Sequence, residues 1–122
     1  MLRSFYHPSI MNIIKKKRGK QMVKHIVMWQ VAAHEVHGTK EEVMVKMKEQ
    51  LEGLKGEIEG LLNIEVGINF NDSPAAYDVV LYSEFVDAAA LEYYQTHDKH
   101  IAVANDLIRQ VATSRAVVDY TV

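Results

Sequence analysis

The nine residues Val23–Val31, VKHIVMWQV, constrain the fold more than any other stretch of the chain. They are β-branched or apolar in the main and too few for a stable helix, so they read as a first strand. By alternation His25, Val27, Trp29 and Val31 share one face, and Ile26 and Met28 share the other. Both faces are largely apolar. A strand of this kind needs cover on both sides, and the remaining elements must supply it.

Thr39 and Glu42 stand in capping-box spacing, each side chain able to satisfy an orphan amide at a helix start. Behind them Val43, Met44, Met47, Leu51, Leu54 and Ile58 recur at intervals of three and four and form one apolar stripe. Lys40, Glu41, Lys48, Glu49 and Glu52 face away. Gly56 and Gly60 are expected to end this helix. NIEVGINF then alternates as a second strand, with Ile64, Val66, Ile68 and Phe70 on one side. A turn at Asn71–Pro74 leads into YDVVLYSEF, a third strand paired antiparallel with the second. Asp87 can cap a second helix that begins AAALEYYQTH and resumes through IAVANDLIRQVA, and SRAVVDYTV closes the chain as a fourth strand.

The order is therefore β-α-β-β-α-β, which predicts an α+β, ferredoxin-like sandwich with two helices on one face of a four-stranded antiparallel sheet. The other sheet face keeps apolar residues, such as Met28 or Trp29, that the helices do not reach. An uncovered apolar face calls for a second copy of the chain, so a homodimer packed sheet against sheet is expected.

Overall properties exclude several function classes. Residues 1–21 hold Arg3, Lys15, Lys16, Lys17, Arg18 and Lys20 and no acid, leaving eight basic residues against all 16 acids in the remainder. An acidic body argues against a nucleic-acid or anionic-membrane partner, which would need a concentrated positive field. The basic leader carries its charge after its apolar part, the reverse of a secretory signal, and is expected to be a flexible extension outside a domain spanning residues 22–122. No apolar run approaches the roughly 20 residues needed to cross a bilayer. There is no cysteine, so disulfides and thiolate-ligated metals are excluded, in keeping with a cytoplasmic setting. No glycine-rich phosphate loop suggests a nucleotide, and no cofactor is expected.

The chemistry-bearing residues concentrate in YYQTHDKH, residues 93–100. In a continuous helix the three-residue spacing of Tyr94, His97 and His100 places them along one flank. A neutral imidazole can take a proton from carbon beside a carbonyl, and a tyrosine hydroxyl can hold the enolate oxygen that forms. The same residues can equally cap helix-end carbonyls. His25 shares a strand face with Trp29 and can point into the same pocket, or it can be a buried histidine bonded to a neighbouring strand. Asp119 can orient a histidine across the sheet or be a plain surface aspartate at a strand end, while Tyr120 on the opposite side can pack under the helices or line the pocket. Tyr77 and Tyr82 read as packing residues of the third strand. HEVH at 34–37 and HDKH at 97–100 each hold histidines three apart, with Glu35, Asp98 and Asp119 as possible further ligands. Neither pair has an evident third ligand on a fixed element, so at most weak metal binding is expected, and His34 and His37 read as a solvated loop.

The opening VKHIVMW, the segment YYQTHDKH and the closing AVVDYTV resemble the stress-responsive A/B barrel family, the dimeric α+β barrel proteins, over roughly residues 22–122. The resemblance implies a dimer whose two sheets close a barrel, with a small pocket in each protomer. Members often have His-Pro-x-His where this chain has HDKH, so Asp98 replaces a proline, and its loss is expected to smooth the helix. One plant branch, the olivetolic acid cyclase type, performs an intramolecular aldol condensation on a linear polyketide. Its Tyr-x-x-His-x-x-His segment matches Tyr94, His97 and His100, and its strand histidine matches His25. That likeness implies His100 as base with Tyr94 assisting, and His25, His97 and Trp29 lining the site. The expected function is a dimeric barrel protein binding a small apolar or aromatic molecule, with cofactor-free cyclase, lyase or isomerase chemistry open to it. The alternative is a non-catalytic stress-tolerance protein whose assembly is itself the function.

Overall fold

The computed structural model describes residues 21–122. Strand β1 (Val23–Val31) is followed by helix α1 (Lys40–Glu52), the hairpin strands β2 (Leu61–Ile68) and β3 (Val79–Phe85), and helix α2 (Ala88–Thr96). Then come α3 (Asp98–Val103), a π-helical turn (Ala104–Ile108), a final α-turn α4 (Arg109–Val111) and β4 (Ala112–Thr121). The four strands form one sheet in the order β2-β3-β1-β4, with every neighbouring pair antiparallel. This is the ferredoxin-like α+β fold. The basic extension expected at residues 1–21 lies, but for Gln21, outside the described residues.

The sheet has one buried and one open side. Val23, His25, Val27, Trp29 and Val31 all turn toward the helices and are buried. Trp29 thus belongs to the helix side, and it is Met28, with Ile26, that faces the open side. On β3 the matching inward set is Val79, Leu81, Ser83 and Phe85. α1 presses Val43, Met47 and Leu51 against this surface. Its start is the expected capping box: Thr39 Oγ1 accepts from the Glu42 amide at 3.2 Å and Glu42 Oε1 accepts from the Thr39 amide at 2.9 Å.

α1 ends sooner than its apolar spacing suggests, at Glu52 with Gly53 as cap. Leu54 and Ile58 are still buried, but from turns rather than from the helix. Gly60 takes a left-handed φ of 87°, and a Cβ there would lie 2.6 Å from Ala90 Cβ. The chain therefore passes against the first turn of α2 only because this residue has no side chain. Asp87 caps that turn, its Oδ1 accepting from the Ala90 amide at 2.8 Å.

β2 is an edge strand, yet part of its edge is closed from within the chain. Lys48 Nζ donates to the Val66 carbonyl at 2.7 Å, and Glu52 Oε2 accepts from the Val66 amide at 2.9 Å. The two side chains also pair with each other at 2.8 Å. The Lys48 ammonium, with the Val66 amide, holds the Glu52 carboxyl below the usual carboxylate range. β4, the other edge, is the longest strand, and Val117, Val118 and Tyr120 are exposed on it. Tyr120 pairs with Lys24 on the open side, so it does not pack under the helices. Tyr82 is on the open side too, its hydroxyl donating to Glu84 at 2.5 Å.

Candidate functional site

Expected site residues gather around His25, where β1 and its neighbours β3 and β4 lie against Tyr94 of α2 and His100 of α3. β1 contributes His25 and β4 contributes Asp119, which are paired across the two strands. The His25 Nδ1 and the Asp119 carboxylate form a short hydrogen bond, with His25 buried and Asp119 partly open to solvent. The ring of His25 lies edge-on to Phe85 and to Tyr94, with centroids 6.2 and 6.3 Å away. Ser83, fully buried below, donates its hydroxyl to the His25 carbonyl at 2.9 Å and ties β1 to β3 at this point.

Tyr94 is completely buried and joins the two halves of the cluster. Its ring packs on Phe85 at 4.9 Å and on His100 at 4.4 Å. Neither the Tyr94 hydroxyl nor His100 Nδ1 has a hydrogen-bond partner, although both atoms are shielded from solvent. Unpartnered buried polar atoms are uncommon and costly in native proteins. Two such atoms stand here in adjoining rings.

Burial also sets the protonation states. It pushes the Tyr94 hydroxyl far above its ordinary value, so the phenol stays protonated. His100 is held below the ordinary imidazole value chiefly by burial, with His25, Arg115 and Arg109 adding in the same direction and the Gln95 backbone opposing. Near neutral pH the pair is thus a neutral imidazole beside a proton-bearing phenol. That combination can accept a proton at one ring and donate a hydrogen bond from the other.

Two openings flank the cluster. A groove of about 500 Å³ is lined by Val23, Ala88, Leu91 and Asp119, among others, at the sheet end. A recess of about 330 Å³ is lined by Gln95, His100, Ala104, Asn105 and Arg109 between α2 and the π-turn.

Other expected site residues stand apart from these. His97 does not share a helix flank with Tyr94 and His100, because it is itself the break between α2 and α3, with ψ at 136°. Its Nδ1 accepts from the Lys99 amide at 3.1 Å and its ring meets Tyr93 at 5.5 Å. The break therefore persists without the proline at 98, since the imidazole caps the new helix. Trp29 shares the sheet face with His25 but lies four residues along the strand, roughly 13 Å away. It is buried there, its indole Nε1 unpartnered. His34 and His37 sit in a tight turn closed by backbone bonds between His34 and Gly38. His34 Nδ1 accepts from the Val36 amide, and His37 Nε2 meets Gln110 Oε1 at 2.9 Å. Among the described residues no three metal-ligating side chains gather.

Ser83 and Phe85 are not among the site residues that the sequence points to. Their only signal is a serine set among Val79, Leu81 and Phe85 on an otherwise apolar strand face.

No helix among the described residues is long and apolar enough to cross a membrane. An uncharacterized protein of Streptomyces coelicolor is 33% identical over 81 residues, covering 66% of this chain and 81% of its own. A dimeric ferredoxin-like protein of unknown function from Bacteroides fragilis is 36% identical with a TM-score of 0.71, over 83% of this chain and 96% of that one. The hydroxynitrile lyase of Passiflora edulis matches with a TM-score of 0.70 over 84% of this chain and 94% of its own, and at 12% identity the likeness is one of fold. Residues 23–122 match the model of the stress responsive A/B barrel domain. The chain belongs to that family, Dabb.

Proposed function

We propose that this protein works as a homodimer that binds a small apolar or aromatic molecule and moves a proton on it without a cofactor, as a cyclase, lyase or isomerase does. The observation that carries the reading is the pair of buried, unpartnered atoms, the Tyr94 hydroxyl and His100 Nδ1, in rings 4.4 Å apart. In the proposed step the C–H bond beside a carbonyl breaks and its proton passes to the His100 imidazole. The electron pair moves into an enolate whose oxygen is held by the Tyr94 hydroxyl. The imidazolium then returns the proton to carbon. In an aldol closure such as the olivetolic acid cyclase type performs, the enolate carbon instead attacks a second carbonyl carbon of the same molecule. The C=O π bond opens to an alkoxide, and the imidazolium protonates that alkoxide. His25, fixed by Asp119, supports the Tyr94 ring from below. His97, as cap of the helix that carries His100, has a positioning role in this scheme.

Dimerisation is supported by the open sheet side, where Val118 and Tyr120 are 56% and 42% exposed beside Ile26 and Met28. The Bacteroides fragilis relative is itself dimeric. A cytoplasmic setting fits the absence of cysteine.

The test is deuterium exchange from D2O into a panel of β-polyketones, lactones and β-keto acids, followed by NMR. Exchange above the buffer rate should fall by about 100-fold or more in His100→Gln, the usual scale for loss of a general base. If the panel exchanges no faster with protein than without, or the variant matches the wild type, the proton-transfer reading fails. Assembly as the function itself would then be the reading to pursue.

A further inference from the structure

The proposed step uses two atoms that a ligand cannot touch while every element stays in place. The Tyr94 hydroxyl and His100 Nδ1 are both shielded from solvent. One of the surrounding elements has to give way, and they are not equally held. β1, β3 and β4 are locked in antiparallel ladders. α1 buries Val43, Met47 and Leu51, α2 buries Ala90, Leu91 and Tyr94, and the π-helical turn buries Leu107 and Ile108. α3 has no buried residue. Its last residue, Val103, leans on the core, and Ile101 is exposed.

Yet α3 supplies the ring that covers Tyr94. In an unbroken helix Tyr94 and His100, six residues apart, would stand about 9 Å apart along the axis and about 120° apart around it. Their rings meet at 4.4 Å because the helix breaks at His97 and α3 starts afresh. Both ends of α3 leave α-helical geometry. His97 is extended, and in the π-turn the Arg109 amide reaches back five residues to the Ala104 carbonyl. Hinges are element-terminal residues of this kind, and π-turns recur at functional sites. One ion pair ties α3 to the turn after α1, Lys99 Nζ to Glu57 Oε1 at 2.5 Å, with both side chains about half exposed. Exposed ion pairs are weak, and a segment with few buried contacts opens before the core does. We infer that α3 is a lid over the Tyr94–His100 pair, hinged at His97 and the π-turn and latched by Lys99 to Glu57. The ligand enters beneath it from the recess lined by Gln95, His100 and Asn105. This rests on the proton-transfer reading for what the ligand does inside, while the movement of α3 is measured apart from it.

The first measurement is amide hydrogen exchange by NMR on the full chain. The Ile101 and Ala104 amides are bonded to the His97 and His100 carbonyls, so their exchange reports opening of α3. They should exchange at least about tenfold faster than the amide of Met47 in α1. Lys99→Ala should speed them by about two- to fivefold, the scale of an exposed ion pair, and leave Met47 unchanged. The second measurement joins Glu57→Cys to Lys99→Cys with a short bismaleimide, which has no other target because the chain has no cysteine. Deuterium exchange into pentane-2,4-dione should fall at least about tenfold on linking, while the same variant unlinked keeps it. Amides of α3 as well protected as that of Met47, or indifferent to Lys99→Ala, overturn the inference. Undiminished ketone exchange in the linked protein also overturns it and leaves the proton-transfer reading intact. Fast, latch-dependent α3 amides in a protein that exchanges no ketone would uphold the lid and sink the catalytic reading.

Discussion

Replacing Tyr94 by Phe is the most discriminating single change. The side chain is fully buried, and its ring contacts with Phe85 and His100 involve the aromatic face rather than the hydroxyl. The hydroxyl has no protein partner. A buried hydroxyl without a hydrogen bond costs on the order of 1–3 kcal/mol, and phenylalanine removes that cost while keeping the packing. Tyr94→Phe should therefore be more stable than the wild type by about 1 kcal/mol or more. For a domain of this size that is a rise of roughly 4–8 °C in Tm per kcal/mol. The assay is denaturant unfolding of both proteins at equal concentration, with the exchange assay run in parallel. A stabilised variant that has lost exchange activity would show that the hydroxyl is kept for function. A loss of stability of about 1 kcal/mol or more would refute the reasoning, because the hydroxyl would then be a bonded structural group.

Asp119→Ala strips buried His25 of its partner and should cost about 1–3 kcal/mol in a denaturant melt, the usual penalty for orphaning one side of a partly buried hydrogen bond. His100, held below its ordinary value of 6.5 by burial, should make stability pH-dependent. Above 6.5 both folded and unfolded chains leave it neutral and the contribution is present. As pH falls below 6.5 the unfolded chain takes the proton first, so stability drops until the folded-state value is passed. Thermal melts from pH 8 to pH 5 should show a shallower fall in His100→Gln than in the wild type. Gly60→Ala places a methyl 2.6 Å from Ala90 Cβ on a left-handed backbone, and should lower the unfolding free energy by about 1–3 kcal/mol without changing the ligand affinity of the recess.

Elements whose logic is local are legible in the residues themselves. The Thr39–Glu42 box, the Asp87 cap and the alternation of β1 each follow from residues a few positions apart, and each forms as expected. The pairing of Asp119 with a histidine across the sheet is also open to the sequence, since β1 and β4 are neighbours in this topology. Where helices stop is harder to read. Leu54 and Ile58 continue the apolar rhythm of α1 although the backbone has already turned, because a turn packed on a core needs apolar residues as much as a helix does. Spacing puts His97 on a flank with Tyr94 and His100, but a side chain able to accept a hydrogen bond can itself cap the next helix and break the periodicity. The parts played by Ser83 and Phe85 depend on which strands become neighbours, and a serine in a strand carries no sign of the carbonyl it will meet.

The seal on Val66 bears on how large an assembly of this protein can grow. A sheet with two bare edges offers every chain two places to add another, and such additions need not end. Here Lys48 and Glu52 already use the amide and carbonyl of Val66 on β2, so an incoming strand would have to displace a paired ammonium and carboxylate to bond at that position. Among the described residues that leaves β4 as the ready edge. Copies packed through their open sheet faces leave both edges outward, and on the β2 side the Val66 position is closed to a further strand. A lysine and a glutamate on α1 thus work against strand addition where β2 passes Val66.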